Sequence, residues 1–512
     1  GGEGEFFHFN GKELEGAVVL MSFDSWNRWM NASMLGAKAI VFIGTDTTTT
    51  AEAEQKFFQV PLNVPRFWIE REAGLALRQR LSTGEKISVD LRGRMDWEKH
   101  TAHNIIGWIP GQHPELKDRV ILIDAYYDAM SVVPALAPGA EQACGLVAML
   151  EMAEYLAAHP PDHTVLFLAS SAHHLGFRGI CDFLGKHARK EEHFAKLMTD
   201  PIDIRLWVSL DLSSQTDEFA VWNGTTSFYF QRFATPLGKL FSKLGKELAP
   251  LFELSPARAL VDGINPPSGM AWNMFIPGGK IKTDSEVVLT AGMPTLAFVT
   301  VNDARFKVDT PTDRAEYINV RNLTKQIHLL TGVLSKALDD PYFLPDYKID
   351  MKDRMRALKG RLLTYPRRSI TPDRPRKGAV AVLRMSYEKS VKGVRTIFYD
   401  MANDEGEFYI PGLAVRWVGL DAYYLDPETG EITYAPDRGQ AAKIYKPEFG
   451  MDFWITRATR ILFPCIATDF YETVDPRYLT KLPSLSLYGE GNRSPQEYGY
   501  TLGYGPDAPV GV

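Results

Sequence analysis

The sequence predicts an α/β domain with a mostly parallel sheet at the centre of a multidomain chain, and two observations support this prediction. Short apolar segments alternate with segments of helical spacing through residues 103–340. Several of the apolar segments have almost no polar interruption, which is typical of strands buried on both faces of a parallel sheet. The length of 512 residues gives room for about two to four domains.

The composition is that of a soluble globular protein and excludes several classes. Apolar residues make up 45% and charged residues 23% of the chain, both ordinary values. The formal net charge of −6 argues against a dedicated nucleic-acid binder, which carries a basic excess. No apolar run reaches the roughly 18 residues of a membrane span, so we expect none in this chain. The first residue is not Met, and we expect a processed chain or part of a longer one.

The central region, residues 99–342, carries the α/β pattern. We expect its functional loops at the carboxyl ends of the strands, as in other parallel sheets. Strands are predicted at 120–124, 164–169, 206–211 and 295–300, and helices at 146–158 and 320–338.

Residues 1–98 are predicted to form a separate α/β domain. Apolar segments bracket helical ones and indicate a βαβ-like arrangement. The charged residues 92–100 then indicate a linker. Strands are predicted at 17–21, 39–43, 67–69 and 87–91, and helices at 29–36 and 70–81.

The last part of the chain changes character. Residues 343–377 are rich in charge and Pro and are predicted to be a linker, with a basic amphipathic helix at 351–363. Residues 378–512 contain short aromatic strands separated by hairpin-like turns, which predicts a β-sandwich. The strands are predicted at 379–383, 396–399, 407–410 and 431–434.

Polar motifs follow the central strands in a recognisable order. They resemble, in order and spacing, the M28 family of co-catalytic zinc aminopeptidases and carboxypeptidases over about residues 103–340. The resemblance implies a doubly wound, phosphorylase/hydrolase-like α/β fold of the zinc-exopeptidase type. The motifs lie at 125–129, 139–145, 172–179, 209–212, 283–285, 291–294 and 308–313.

The flanking regions also resemble domains that accompany such peptidases. Residues 1–98 are similar to a protease-associated domain, with 36–43 as the most telling stretch. Residues 404–413 are similar to carboxypeptidase regulatory-like domains, which implies stabilisation or docking rather than chemistry.

The M28 pattern implies five metal ligands and one general base. The ligands are His, a bridging Asp, Glu, Asp and His, and a Glu directly before the ligand Glu is the base. Two Zn²⁺ ions share a carboxylate and a water and together polarise the peptide carbonyl.

This chain departs from the pattern at nearly every one of these positions. Among the five ligand positions only Asp211 is unchanged. Asp128 retains the carboxylate that orients the first His in the family. The substituted positions are Tyr126 for the first His, Glu141 for the bridging Asp, His173 for the base, His174 for the ligand Glu and Asp309 for the last His.

Two interpretations fit these substitutions. In the first, the metal centre has decayed, because loss of a positioned base typically costs ~10²–10⁴ in rate. Transferrin receptors are a precedent, since they keep the fold but act as receptors. In the second, Glu141, His174 and Asp309 hold a single Zn²⁺ or another divalent ion, with or without exopeptidase activity. His173 is then the base near neutral pH.

We expect the first interpretation: a catalytically degenerate homologue that needs no metal and serves as a binding or structural component. By the resemblance it is extracytoplasmic (secreted, periplasmic or at the cell surface), with a protein partner or a larger assembly. A peptide- or sugar-binding module that uses the old cleft is a third alternative. Convergence of Glu141, His174 and Asp309 around one point would favour a bound metal ion. A side chain of Tyr126 or of an Arg that fills this space would argue against one. Cys144 is predicted to be a buried small residue rather than a nucleophile.

Overall fold

The structure is a computed structural model that describes most of the chain up to residue 465. The described residues are 1–46, 53, 56, 60–93, 97–188, 201–222, 231–265, 283–344, 356–364, 374–385, 397–413, 417–428, 432–435, 442–443, 448–455 and 462–465.

The first sheet has three parallel strands in the order β1-β2-β3. They are β1 (Val18–Ser22), β2 (Ala39–Ile43) and β3 (Arg66–Ile69), with helices α1 (Trp29–Met34) and α2 (Arg71–Ser82) after β1 and β3. The predicted strands at 17–21, 39–43 and 67–69 are confirmed to within one residue at each end. That this unit is a protease-associated domain stays a prediction.

The prediction of a strand at 87–91 is wrong. These residues are described but form no strand. Their alternating apolar pattern satisfies the period of a strand, yet Val89 is half exposed. A strand of this kind needs a neighbour for its backbone and a core for its apolar face.

The central sheet has seven strands in the order β4-β6-β5-β7-β10-β8-β9. The pairings of β5 with β6, β5 with β7, β7 with β10 and β8 with β9 are parallel. The other two pairings are antiparallel, so the sheet is mostly parallel as predicted. The strands are β4 (Ile105–Ile109), β5 (Val120–Tyr126), β6 (Thr164–Ser170), β7 (Ile204–Asp211), β8 (Phe219–Trp222), β9 (Leu260–Asp262) and β10 (Thr295–Thr300).

Three long helices share one hydrophobic core with this sheet. Ile121, Ile123 and Ala125 of β5 belong to that core, so the alternate residues of the strand, including Asp124 and Tyr126, point to the opposite face. The helices of the core are α3 (Cys144–Ala158), α5 (Gln231–Leu248) and α7 (Val320–Leu338); two short helices are α4 (Arg178–Phe183) and α6 (Ser285–Thr290).

The prediction of a helix at 351–363 is wrong for the part that the structure describes. Residues 356–364 form the strand β11 (Arg356–Thr364), and 351–355 lie outside the described residues. Leu358, Gly360 and Leu362 alternate with charged residues at the period of a strand. The strand pairs on both sides, with β15 (Glu407–Leu413) and with β19 (Glu448–Ile455). The predicted linker therefore contributes a central strand, because two paired edges outweigh its helical spacing.

The described carboxyl-terminal part is all β. One five-stranded sheet has the order β12-β11-β19-β20 with β15 beside β11, and another has the order β14-β13-β16-β17 with β18 beside β16. The four predicted strands fall within β13, β14, β15 and β17, apart from residues at their ends. The β-sandwich stays a prediction, because residues 466–512 lie outside the described part. The remaining strands are β12 (Arg374–Pro375), β13 (Val380–Met385), β14 (Ile397–Met401), β16 (Trp417–Leu425), β17 (Ile432–Ala435), β18 (Ala442–Lys443) and β20 (Leu462–Cys465).

The first sheet shares a hydrophobic core with the carboxyl-terminal sheet of order β14-β13-β16-β17. Val19 and Trp29 from the first sheet and its helix belong to the same buried cluster as Val382, Ile397 and Tyr423. The amino-terminal and carboxyl-terminal parts are therefore packed together. Among the described residues, none of the helices has the length and apolarity needed to cross a membrane.

Candidate functional site

The positions singled out by the sequence meet at one edge of the central sheet. Tyr126 ends β5, the two histidines follow β6, and Asp211 ends β7. Parallel strands bring their carboxyl ends to the same edge. Tyr126, Glu141, His173, His174 and Asp211 are all buried, so this edge is a closed cluster.

His173 is fixed by a carboxylate and an aromatic ring. Its Nδ1 lies 2.7 Å from Oδ1 of Asp284, and the Ser170 hydroxyl donates to Oδ2 of Asp284 at 2.9 Å. The Tyr126 ring stacks on the imidazole, with centroids 3.9 Å apart and planes 20° apart. The His173 side chain is 0% exposed. The imidazole at the general-base position is thus sealed from water.

Asp128 holds the backbone of the histidine loop. Its Oδ1 accepts the His173 backbone N–H at 3.1 Å and its Oδ2 accepts the His174 N–H at 3.5 Å. Burial raises the pKa of Asp128. The carboxylate that orients a metal-binding imidazole in the family therefore stabilises a loop here.

The Glu141 carboxylate is surrounded by hydrogen-bond donors. Oε2 accepts the Ser214 backbone N–H at 2.6 Å, and Oε1 accepts the Ser214 hydroxyl at 2.7 Å and the Gln215 amide at 2.5 Å. The Glu141 backbone N–H donates to Asp313 at 2.8 Å. Both carboxylate oxygens are therefore engaged in protein hydrogen bonds that stabilise the anion.

Asp211, the single unchanged ligand position, forms an ion pair with Arg305. The guanidinium Nη1 contacts Oδ1 of Asp211, and Nη2 donates to the Asp211 backbone carbonyl at 2.9 Å. Each side chain is 2% exposed. Because guanidinium stays protonated under all ordinary conditions, Asp211 already has a permanent cation at this site.

Asp309 is held by an amide. Its Oδ1 accepts from Nε2 of Gln142 at 2.6 Å. Its φ of +65° lies in the left-handed region, which non-glycine residues seldom adopt. Its carbonyl accepts the Val132 N–H at 2.8 Å, which helps to hold this conformation.

These contacts give a test of whether the chain's residues fit the family's zinc. Asp211 is ion-paired, the Glu141 oxygens accept three donors and Asp309 accepts an amide. In the residues that the structure describes, no three His, Cys, Asp or Glu side chains are arranged to hold a metal ion. The described donor set therefore does not fit a zinc centre of the family type.

A second buried carboxylate lies beside the His173 contact. Asp124 accepts the Trp207 indole N–H and, at 2.6 Å, the Ser209 hydroxyl. Burial and the nearby Asp284 charge raise the pKa of Asp124 well above its usual value. Burial also acts to raise the pKa of Asp284, but the charge and hydrogen bond of His173 outweigh it and lower that pKa. The pKa values of the two carboxylates thus shift in opposite directions, so Asp124 binds a proton more readily than Asp284.

Sequence reasoning missed several residues of this cluster. Asp284 lies in the 283–285 motif, but the sequence assigns no role to it. Asp124 is predicted only to be a strand residue. Arg305, Ser214 and Gln215 belong to no motif, and no sequence signal marks them. Cys144 is buried, as predicted, and burial raises the pKa of its thiol above the usual range.

Comparison with known proteins agrees with the resemblance of the central region to the M28 family. Residues 104–333 match the sequence profile of peptidase family M28. The central region is M28 peptidase-like. Over 183 residues the chain is 27% identical to aminopeptidase YwaD of Bacillus subtilis (strain 168). That match covers 35% of this chain and 37% of the aminopeptidase.

Solved structures that are similar to this chain include two aminopeptidases and a gamma-secretase component. A zinc aminopeptidase of Bacillus subtilis, BSAP, is 19% identical, with a TM-score of 0.39 over 66% of this chain and 73% of that one. The aminopeptidase of Aneurinibacillus sp. strain AM-1 is 19% identical, with a TM-score of 0.37 over 69% and 75%. The gamma-secretase component nicastrin is 12% identical, with a TM-score of 0.35 over 67% and 69%.

Proposed function

We propose that the chain is a catalytically degenerate M28 peptidase homologue that works by binding, as a component of an extracytoplasmic protein assembly. The observation that carries the proposal is the buried ion pair between Asp211 and Arg305. A Zn²⁺ ion at Asp211 would lie against a guanidinium with almost no water to screen the repulsion. The chain thus supplies from its own sequence the positive charge that the metal supplies in the family.

The position of the general base supports the same proposal. A base must reach the attacking water, whereas the His173 side chain is 0% exposed and lies against Asp284 and Tyr126. An imidazole in this setting can orient a loop but has no route to a substrate in this conformation.

The test is metal content measured together with hydrolysis. Protein purified without chelator is analysed by plasma mass spectrometry and assayed with aminoacyl-p-nitroanilides and a peptide library. We expect far less than one zinc per chain and no turnover above background. Two zinc ions per chain with turnover would contradict the proposal.

The metal-dependent exopeptidase remains the alternative, and the aminopeptidase name of the curated relative favours it. It requires Glu141, His174 and Asp309 to hold one divalent ion. Gln142, Ser214 and Gln215 must then give up their present bonds to these carboxylates. One bound ion per chain, with turnover lost in Glu141→Gln, would establish this alternative.

A further inference from the structure

The strand β4 forms one edge of the central sheet, and no described strand pairs with its outer side. In the described part of the chain it pairs with β6 alone. Its exposed side chains are large and apolar: Ile105 is 62%, Ile106 43% and Trp108 57% exposed. Sheets usually protect such an edge with charges, Pro or a covering element, and the five residues of β4 contain neither charge nor Pro.

A cavity of about 420 Å³ lies at the start of this strand. Asn104, the residue before β4, lines it together with the loop after β6 and the strand β14. Trp97 and Tyr399 form an aromatic wall, with ring centroids 5.0 Å apart. The volume is typical of ligand pockets, which favour the junctions between domains. Further apolar lining comes from Leu175, Val380 and Met401.

The cavity carries charged side chains of both signs. Glu98, Asp182 and Asp400 line it together with Lys99 and Arg178, so neither sign is in clear excess. This lining favours an uncharged occupant, because a charged one would meet a like charge as readily as an opposite one. Two of the acidic groups have a lysine partner, Asp400 with Lys99 at 2.9 Å and Asp182 with Lys186 at 2.7 Å, and the His100 ring lies 3.2 Å from Glu98.

The edge and the cavity form one continuous, fixed surface. Asn104 donates to the Gly179 carbonyl at 2.8 Å, and its Oδ1 accepts the Ser171 N–H at 3.1 Å and hydroxyl at 3.2 Å. These bonds tie the beginning of β4 to the loop that lines the cavity. A ligand that pairs with the strand and continues past Asn104 therefore lies next to the cavity.

We propose that β4 and this cavity bind an extended peptide of a partner protein. The peptide backbone adds a strand to β4, and a large uncharged apolar side chain enters the cavity. A second copy fits less well, since five residues span only about 17 Å. That length alone does not bury the roughly 800 Å² per partner of a stable interface. The inference rests on the binding role proposed above and names its partner class.

The test uses fluorescein-labelled octapeptides of alternating Thr and Val in which one central position is Trp, Leu, Ala or Asp. Fluorescence anisotropy with the whole chain measures their binding. We expect the Trp and Leu peptides to bind at least about tenfold more tightly than the Asp peptide, because Trp97, Leu175 and Tyr399 offer apolar contact and the acidic lining residues disfavour a carboxylate. Methylation of alternate backbone amides should abolish binding, because it removes the strand pairing.

Three variants of exposed residues distinguish binding at this site from nonspecific hydrophobic binding elsewhere on the surface. Ile106→Lys on the edge and Leu175→Glu in the cavity should each weaken binding at least about tenfold. Leu251→Lys, at a residue that is 72% exposed and outside both features, should leave it unchanged. Circular dichroism checks that all three are folded.

Two outcomes would overturn the inference. One is the absence of binding at about 1 mM peptide, or binding that neither variant weakens. The other is a dimer in sedimentation that Ile106→Lys dissociates, which would assign the edge to a second copy. Neither outcome bears on metal content, and bound zinc with turnover would overturn the proposed function while leaving peptide binding intact.

Discussion

At the scale of single residues, the cluster shows how buried carboxylates are stabilised by partners from the chain itself. Each carboxylate has its own partner from the chain: Arg305 for Asp211, Ser214 and Gln215 for Glu141. A buried charge is tolerated only when it is paired or hydrogen-bonded. The partners therefore matter as much to folding as the carboxylates do.

Arg305→Ala should destabilise the protein by about 3–5 kcal/mol, because it leaves the Asp211 charge buried and unpaired. The double variant Arg305→Met with Asp211→Asn should recover most of that loss. Urea unfolding measures both. The matched control is Arg321→Ala, whose partner Glu253 is exposed and whose loss should cost less than about 1 kcal/mol. Equal effects of Arg305→Ala and Arg321→Ala would contradict the structure.

The burial of His163 makes the free energy of unfolding depend on pH, and it also sets the sign of that dependence. The residue is 1% exposed, and its Nδ1 lies 2.8 Å from the Leu338 carbonyl. Burial lowers its pKa below the unfolded value, so the unfolded chain binds the proton more readily. Stability from this group is complete above the unfolded pKa of about 6.5 and is lost as the pH falls.

His163→Gln should therefore flatten the stability curve between about pH 7 and pH 5. Urea unfolding at a series of pH values compares it with the wild type. A curve in which the two proteins lose stability in parallel would remove His163 as a cause.

At the scale of elements, the histidine loop is positioned by its fit against β14. Gly176 has a φ of +72°, and a Cβ at this position would lie 2.7 Å from the Phe398 ring. The loop after β6 thus rests on a strand of the carboxyl-terminal part. Only a residue without a side chain allows this approach.

Gly176→Ala should destabilise the protein by about 2–3 kcal/mol, from backbone strain and from the contact with Phe398. Gly84→Ala is the matched control, since Gly84 has a φ of +83° but open space around its Cβ direction. It should cost only about 1 kcal/mol. Thermal and urea unfolding compare the two, and equal costs would mean that the contact contributes nothing.

The elements also show what periodicity can and cannot predict. The buried strands β5, β6, β7 and β10 were predictable, because a parallel strand covered on both faces is a continuous apolar run. The strand β4 was missed although Ile105–Ile109 is also an apolar run, because five residues with a central Gly give a weak strand signal. The segment of β11 was taken for a helix because its strand pairing comes from residues far away in sequence.

The candidate site was predictable only in part, for a similar reason. Motif order located Tyr126, Glu141, His173 and Asp211 at one edge of the sheet. It could not supply Arg305, because an ion pair between residues 94 positions apart leaves no mark on local spacing.

At the scale of the whole molecule, the two ends of the chain depend on each other. Trp29 near the first sheet and Tyr423 in a carboxyl-terminal strand belong to one buried cluster. The sequence suggests separate domains, since the two segments show different strand character and lie far apart. The shared core predicts that they lose structure together.

Tyr423→Ala tests this dependence, since the side chain is 1% exposed. We expect a loss of about 3 kcal/mol or more, because the cavity opens in the shared core. Hydrogen exchange measured by mass spectrometry should rise in β1 and β2 as well as in β16, and not in β5 or β6. Unchanged protection of β1 and β2 would show that the two sheets are independent.

The Asp211–Arg305 pair also changes what the fold needs from its surroundings. A relative that holds zinc gains stability with the concentration of free metal, by ordinary mass action. A guanidinium encoded in the chain is present in every molecule at a fixed ratio of one to one and cannot be diluted away or taken by a competing chelator. On the function proposed above, the cluster therefore forms equally well at low and at high zinc concentration, and the supply of zinc sets no limit on folding.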